Sequence, residues 1–193
     1  MVSEELRFIN NLAVLIELGR PLLDSMVHMR EDCDDPAFKP AYTAMIECIK
    51  NGGDFTDVLT DYPQLCSRTS LALLKAARRS SCLSVLMPRL ARLVRSKVEG
   101  GLDPRQRFFE TWALLVESGF TTEEALAELS SEFHHGPLGE VAEGLRAAVV
   151  SGKGLLAGAQ RYPDAFGAVS RDLLRYGEAR DLPNALRAIT RLF

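Results

Sequence analysis

Residues 149–178, VVSGKGLLAGAQRYPDAFGAVSRDLLRYGE, contain the turns from which the fold can be deduced. An apolar segment ends at Gly152, a Tyr-Pro pair ends at Pro163, and the stretch closes on Gly177 and Glu178. Glycine supplies the positive φ that many helix C-termini require, and proline is tolerated in the first turn of a helix, where its missing N–H costs nothing. The stretch therefore predicts a helix that ends before Gly152 and a later helix that has Pro163 in its first turn.

The same turn residues occur 100 residues earlier in the chain. When the chain is shifted by 100 positions without a gap, residues 1–93 align with residues 101–193, and thirteen of the 93 pairs are identical, Leu86 with Leu186 among them. The identity is low, but the residues expected to end helices and form turns coincide, so we predict an internal repeat. They are Gly19, Gly52 and Pro63 in the first half and Gly119, Gly152 and Pro163 in the second.

The composition favours helices over strands. The chain contains 50 Leu and Ala residues against 17 Val and Ile residues, and its leucines recur at three- and four-residue steps. We predict an all-α protein of two tandem six-helix bundles related by the 100-residue repeat, with domains at 1–96 and 105–193 and a linker at 97–104. The helices of the first half are expected near 4–18, 21–32, 37–51, 55–61, 64–79 and 82–96, and those of the second half 100 residues later.

Length and charge exclude several classes of protein. The 193 residues carry a net charge of −3, and 47% of them are hydrophobic, as in an ordinary globular chain. The longest apolar runs have five residues, whereas a membrane span needs about 20. The N-terminal residues lack the basic and apolar regions of a secretory signal, so we expect a cytoplasmic protein. The four cysteines contain no C-x-x-C pair and are expected to be reduced core residues.

The motifs of the second half follow one another in a recognisable order. A segment that ends at Gly119 is followed by Gly-Lys-Gly-Leu at 152–155, by a Tyr-Pro pair and a phenylalanine within 162–166, and by Gly-Glu at 177–178 before a final leucine-rich helix. This order resembles the cytoplasmic domain of the type II secretion system protein F family, the inner-membrane platform proteins of type II secretion and type IV pilus assembly.

The resemblance implies both an architecture and a role. The family carries two such domains per chain, which agrees with the predicted tandem. It implies a non-catalytic scaffold or assembly protein that binds other components of the machine through helix faces. The partners expected from it are the secretion or pilus assembly ATPase, platform proteins, a second copy of the chain and, peripherally, the cytoplasmic face of the inner membrane.

The first half departs from the family pattern at the Gly-Glu pair. Ala77 and Arg78 stand where the second half has Gly177 and Glu178, and Cys66 stands where the family tends to have phenylalanine. A glycine inside a helix costs about 1 kcal/mol relative to alanine, so Gly177 is expected to permit close helix packing. Glu178 beside it is expected to be a buried or interfacial hydrogen-bond acceptor, a role that only the second half can supply.

The membrane segments of the family are missing from this sequence. Family members have one transmembrane helix between the two domains and two more after the second, whereas here the connection at 97–104 is polar and the sequence stops at Phe193. Either the protein is a soluble paralogue that lost its spans, or a segment after Phe193 has been removed. The direct polar linker favours the first alternative.

The end of the first half is strongly basic. Seven basic side chains follow one another without an intervening acid, whereas the second half has 13 acidic and 10 basic residues. The seven are Lys75, Arg78, Arg79, Arg89, Arg92, Arg95 and Lys97. They form either a solvated face or a patch that binds anionic lipid, an acidic partner or another copy of the chain. A second hypothesis is therefore a soluble α-helical adaptor or regulator that uses the stretch 75–97. Nucleic-acid binding is not expected, because the stretch lacks interleaved aromatic residues.

No sequence motif indicates catalysis. The segment Ser151–Gly154 looks like part of a phosphate-binding loop, but that motif requires Gly at 147 and Ser or Thr at 154, where this chain has Ala147 and Gly154. The histidines lack the spacing of metal ligands. We therefore predict no catalytic, cofactor or metal site, and a protein that is not an enzyme.

Overall fold

A computed structural model describes residues 3–193 of the protein. Over these residues it contains twelve α-helices, one short 3-10 helix and no β-strand. The chain divides after Gly100 into two compact units, which we call unit 1 and unit 2, and six of the α-helices lie in each. The all-α class predicted from the composition is confirmed.

The helices follow the expected order in both units. Unit 1 contains α1 (Glu4–Glu17), α2 (Leu22–Glu31), α3 (Lys39–Lys50), α4 (Phe55–Val58) with the 3-10 helix Leu59–Asp61, α5 (Arg68–Arg79) and α6 (Leu83–Glu99). Unit 2 contains α7 (Pro104–Glu117), α8 (Thr122–Glu132), α9 (Pro137–Val150), α10 (Gly154–Ala159), α11 (Ala168–Ala179) and α12 (Leu182–Thr190). Each bound lies within a few residues of its predicted value except the starts of α5 and α11 and the ends of α6 and α12.

Glycine ends the first and third helices of each unit. The backbone φ is 73° at Gly19 and 76° at Gly52 in unit 1, and 94° at Gly119 and 72° at Gly152 in unit 2. These values lie in the left-handed region, which glycine enters without the steric cost that a Cβ atom brings. A side chain at any of the four positions would strain the turn that follows the helix.

The prediction for the two prolines is wrong. Pro63 and Pro163 lie in turns ahead of α5 and α11, which begin five residues later at Arg68 and Ala168. In unit 1 the Leu65 N–H donates to the Tyr62 carbonyl at 3.0 Å, which places Pro63 at the second position of a tight turn. Proline favours that position as much as a first helical turn, because its ring sets the φ that both require.

The predicted linker at 97–104 is also wrong at both ends. Helix α6 continues through Glu99, and α7 already begins at Pro104. Gly100 and Gly101 both have positive φ, 82° and 103°, which ends α6 and turns the chain. The basic residues before the glycines are good helix formers, so they extend α6 although their polarity resembles that of a linker.

The last helix of unit 1 is displaced by one residue relative to the repeat. Buried positions on α12 include Ala185 and Leu186, whereas the corresponding buried pair on α6 is Leu86 and Met87. The turn before α6 contains one more residue than the turn before α12 and includes Ser81, which has φ of 53°. The gapless pairing of Leu86 with Leu186 is therefore out of register.

Each unit has its own core, in which its first helix packs against its last. In unit 1 the ring of Phe8 lies 6.1 Å from that of Tyr42, and Phe55 is fully buried. Unit 2 has a larger aromatic cluster around α7, in which Trp112 has no exposed surface. Aromatic side chains contribute the most apolar area per residue, so this cluster is expected to dominate the stability of unit 2. Its members are Phe108, Phe109, Trp112, Phe133, Phe166 and Phe193.

The cysteine environments predict an order of thiol reactivity. All four thiols are free; Cys33 and Cys66 are buried, whereas Cys48 and Cys82 are partly exposed. Burial raises the pKa of the Cys33 and Cys66 thiols, so both are protonated and shielded in the folded chain.

At pH 8 we expect iodoacetamide to modify Cys48 and Cys82 first and the buried pair only after denaturant is added. Peptide mass mapping of a time course measures the order. Equal rates for all four thiols in native buffer would contradict the described core.

Candidate functional site

The Gly-Glu pair of α11 lies where three helices of unit 2 meet. Gly177 is buried, and a Cβ atom added to it would stand 2.4 Å from the Cβ atom of Ala185 on α12. Carbon atoms that are not bonded to each other do not approach this closely, so α11 and α12 pack as they do only because residue 177 is glycine. The expected close packing at Gly177 therefore has a specific partner, Ala185.

Glu178 turns its carboxylate toward the start of α10. Its Oε1 atom accepts a hydrogen bond from the Leu155 N–H at 2.6 Å, and its Oε2 atom accepts one from the Leu156 N–H at 3.4 Å. The residue before α10, Lys153, makes no side-chain cap of its own. Glu178 thus satisfies N–H groups that the first turn of a helix leaves without an intrahelical acceptor. It is an acceptor between two helices, but the residue is exposed rather than buried.

Gly154 leaves room for this carboxylate. Its φ is 80°, and an added Cβ atom would lie 2.7 Å from Oε1 of Glu178. The phosphate-loop motif would have Ser or Thr at position 154. The glycine found there has a structural role, because it brings the backbone of α10 close to the carboxylate of Glu178.

Unit 1 caps its fourth helix with a carboxylate from a different position. Asp54, at the position that corresponds to Gly154, caps α4 itself by accepting a hydrogen bond from the Thr56 N–H at 3.0 Å. Arg78, at the position that corresponds to Glu178, places its Nε atom 3.6 Å from the Asp54 carboxylate and its guanidinium 5.9 Å from the centre of the Phe55 ring. A carboxylate caps the short fourth helix in both units, but it comes from the helix itself in one and from the neighbouring helix in the other.

A further capping contact in unit 1 was missed by the sequence analysis. The Glu5 carboxylate on α1 accepts hydrogen bonds from the Ser67 N–H and the Ser70 hydroxyl, both at 2.8 Å, and so caps the start of α5. The two partners are more than 60 residues away in the chain. Only the Ser-x-x-Ser spacing ahead of α5 hinted at a cap, and nothing in the sequence pointed to Glu5 as the acceptor.

The basic stretch is not one continuous patch. Lys75 pairs with Asp57 at 3.4 Å, Arg78 faces Asp54, and Arg95 donates to the Asn10 side chain at 3.1 Å. The partners of these cations come from α1, α4 and the segment before α4, and no acid lies within the stretch itself. On α6, Lys97 is two residues and therefore about 200° of helix rotation from Arg95, so these two side chains point to opposite sides.

Two of the seven basic side chains remain available to bind a partner. Arg79, at the end of α5, and Arg92, on the outer side of α6, are exposed, and neither has an ion-pair or hydrogen-bond partner among residues 3–193. Arg89 and Lys97 both interact with neighbouring groups. The structure thus reduces the predicted seven-residue patch to two separate unpaired cations.

Two neighbouring clefts open on unit 2, each of about 440 Å³. They share three residues at the starts of α7 and α9, and the rest of their lining combines apolar and aromatic residues with charges of both signs. The shared residues are Pro104, Pro137 and Leu138. Within the described part of the chain, no group of three or more His, Cys, Asp and Glu side chains could hold a metal ion.

Both halves match one and the same family model. The model of protein F of the type II secretion system matches residues 8–103 and, separately, residues 108–193. The chain belongs to the type II secretion system protein F family. The resemblance inferred from the motifs is confirmed, including its two tandem copies. A comparison with curated proteins gives no significant match.

Membership of the protein F family suggests a protein of the secretion or pilus platform type, which works by contacts with other proteins of the machine. The helices of residues 3–193 are each too short or too polar to cross a bilayer.

Removal of the Glu178 carboxylate should loosen the start of α10. We expect Glu178→Ala to lower the free energy of unfolding by about 0.5–2 kcal/mol, the usual cost of losing a helix cap. Glu178→Gln keeps an oxygen for the Leu155 N–H and should lose less. Urea unfolding followed by circular dichroism measures both, and equal stability of Glu178→Ala and the wild type would contradict the capping role.

The contact between Gly177 and Ala185 predicts two coupled substitutions. Gly177→Ala should lower the free energy of unfolding by about 1–3 kcal/mol, because the new methyl group pushes α12 away, although alanine is the better helix former. Adding Ala185→Gly removes the clash, so the double variant should be more stable than the sum of the two single losses implies. Strictly additive losses in urea unfolding would show that the two residues do not limit the approach of the helices.

Proposed function

We propose that the protein is a non-catalytic scaffold or assembly protein of a type II secretion or type IV pilus machine. The observation that carries this proposal is the match of both halves, residues 8–103 and 108–193, to the protein F family. The proposed partners are the assembly ATPase and the membrane-embedded platform protein, and the proposed location is the cytoplasmic face of the inner membrane.

The structure supports binding through helix faces rather than through a cavity. The site formed by Gly177 and Glu178 is occupied by contacts within unit 2, so these residues shape the domain and leave its outer helix surfaces for partners. The clefts at the starts of α7 and α9 combine proline and leucine side chains with acids and bases and contain no arrangement of nucleophile and base. An interaction module suits these features better than an enzyme does.

The test is direct binding between purified components. Isothermal titration of the full chain with the assembly ATPase, and separately with a cytoplasmic domain of the platform protein, from the same cell should give saturable binding to at least one of them. Disruption of the gene for this chain should then impair secretion or pilus assembly. Absence of binding to both, together with unimpaired assembly, would refute the proposal.

A second candidate function is an adaptor or regulator that uses the basic stretch 75–97. It is favoured by Arg79 and Arg92, which are exposed and have no partner among residues 3–193. Unpaired cations on a surface attract anionic lipid or an acidic protein face without strict geometry.

We expect the double variant Arg79→Glu and Arg92→Glu to lose binding to vesicles that contain phosphatidylglycerol if this second function is correct. The matched control is Arg191→Glu at the end of α12, which changes the charge of an exposed arginine outside the stretch. Cosedimentation with the vesicles measures the effect. Retained binding by the double variant, or an equal loss in the control, would exclude the basic stretch as the binding surface.

A further inference from the structure

Arg107 on α7 is a partly buried cation without a hydrogen-bond or ion-pair partner among residues 3–193. Its Nε atom is buried and has no acceptor. The guanidinium lies over the ring of Phe133, 5.2 Å from the ring centre. A buried N–H group of a charged side chain costs free energy when it has no acceptor, and the aromatic ring replaces only part of that hydrogen bond. Arg107 therefore stands ready for an acceptor from outside.

The internal repeat shows which acceptor suits this arginine. Arg7, at the corresponding position of unit 1, donates to the carboxylate of Asp34 at 3.1 Å. The two units are in register here, because Cys33 and Phe133 are both buried. Unit 2 has His134 in place of Asp34, and Nδ1 of that histidine lies 2.6 Å from the carbonyl oxygen of Ser131. Unit 2 thus keeps the arginine and lacks the carboxylate.

Arg107 lines one of the two clefts of unit 2, which has a volume of about 440 Å³. Phe133, His135 and Leu138 are among its other lining residues. Glu132 also lines this cleft, but its carboxylate already interacts with another group. The start of α9 forms one wall and has no side-chain cap, and the N-terminus of a helix favours a negative charge. The cleft therefore offers both space and charge to a carboxylate from another molecule.

The neighbouring cleft of unit 2 suits an apolar side chain. The Tyr162 ring is fixed against α9, because its hydroxyl donates to the Glu140 carbonyl at 3.3 Å and a Cβ atom at Gly144 would collide with the ring. Charged groups of both signs surround this cleft, so they give it no strong preference for either charge. Its walls are formed largely by Leu138, Val141, Tyr162 and Pro163.

We propose that the two clefts form one groove that binds an acidic peptide segment of another protein. A carboxylate of the segment pairs with Arg107, and a nearby large apolar side chain enters the cleft beside Tyr162. The two features belong to one ligand because the clefts share Pro104, Pro137 and Leu138. The planar guanidinium matches a carboxylate in geometry as well as in charge. The groove is a binding site additional to the helix faces proposed above, and the inference is independent of which machine the protein serves.

The test is a titration of the full chain with short acetylated and amidated peptides, followed by nuclear magnetic resonance. Each peptide carries one Asp and one Leu, separated by up to about three Gly or Ser residues. At least one should bind with a dissociation constant between about 10 μM and 1 mM and shift the Nε–H resonance of Arg107. The same peptide with Asn for Asp should bind at least about tenfold more weakly, because it loses the charged hydrogen bond.

Two substitutions at corresponding positions of the repeat identify the arginine that binds. Arg107→Gln should raise the dissociation constant of that peptide at least about tenfold. The matched control is Arg7→Gln in unit 1, which removes an arginine that already has its carboxylate and should leave binding unchanged.

A graft from unit 1 tests the site without removing Arg107. His134→Asp places a carboxylate where Asp34 stands in unit 1, so it should pair with Arg107 and weaken peptide binding at least about tenfold. His134→Asn lacks the charge and should stay within about threefold of the wild type.

The proposal is overturned if no peptide of the set binds, or if the Asn peptide binds as well as the Asp peptide. It is equally overturned if Arg107→Gln or His134→Asp binds like the wild type, or if Arg7→Gln loses as much affinity as Arg107→Gln. Circular dichroism spectra of all variants establish that each remains folded.

Discussion

The backbone N–H groups at the start of a short helix need an acceptor, and the fourth helix of each unit depends on a carboxylate that supplies it. A helix of four to six residues has more unsatisfied N–H groups than intrahelical hydrogen bonds, so it cannot persist without outside help. Asp54 supplies that help from within unit 1, and Glu178 supplies it from α11 in unit 2. In unit 2 the same hydrogen bonds connect α10 to α11. Gly177, the residue before Glu178 on α11, lets α12 pack closely against that helix.

The fold could be predicted because its signals are local. Helix propensity, apolar periodicity and the glycines at positions such as Gly19 and Gly152 each act within one or two turns, and the structure contains helices and positive φ values where they indicate them. The signals that failed were equally local but ambiguous. Pro63 is as suitable for a tight turn as for a first helical turn, and the extra residue at the turn of Ser81 is invisible to an alignment without gaps.

The candidate site could be predicted only in part, because its contacts are distant in the chain. The sequence indicated that Gly177 packs closely and that Glu178 accepts hydrogen bonds, but it could not identify Ala185 or the start of α10 as their partners. For the basic stretch, the sequence predicted a binding patch that the folded chain largely removes. Its cations appeared to have no partners because those partners, the acid Asp57 and the amide of Asn10 among them, come from elsewhere in unit 1. A charge pattern read along the chain does not reveal what folding brings beside it.

The different origin of the capping carboxylate in the two units also restricts the substitutions that each half tolerates. Glu at position 78 would stand beside the Asp54 carboxylate, and Arg at position 178 would leave the start of α10 without an acceptor. Recombination between the halves within these segments would now bring together incompatible partners. The two halves share a fold, but these segments of one half cannot replace those of the other.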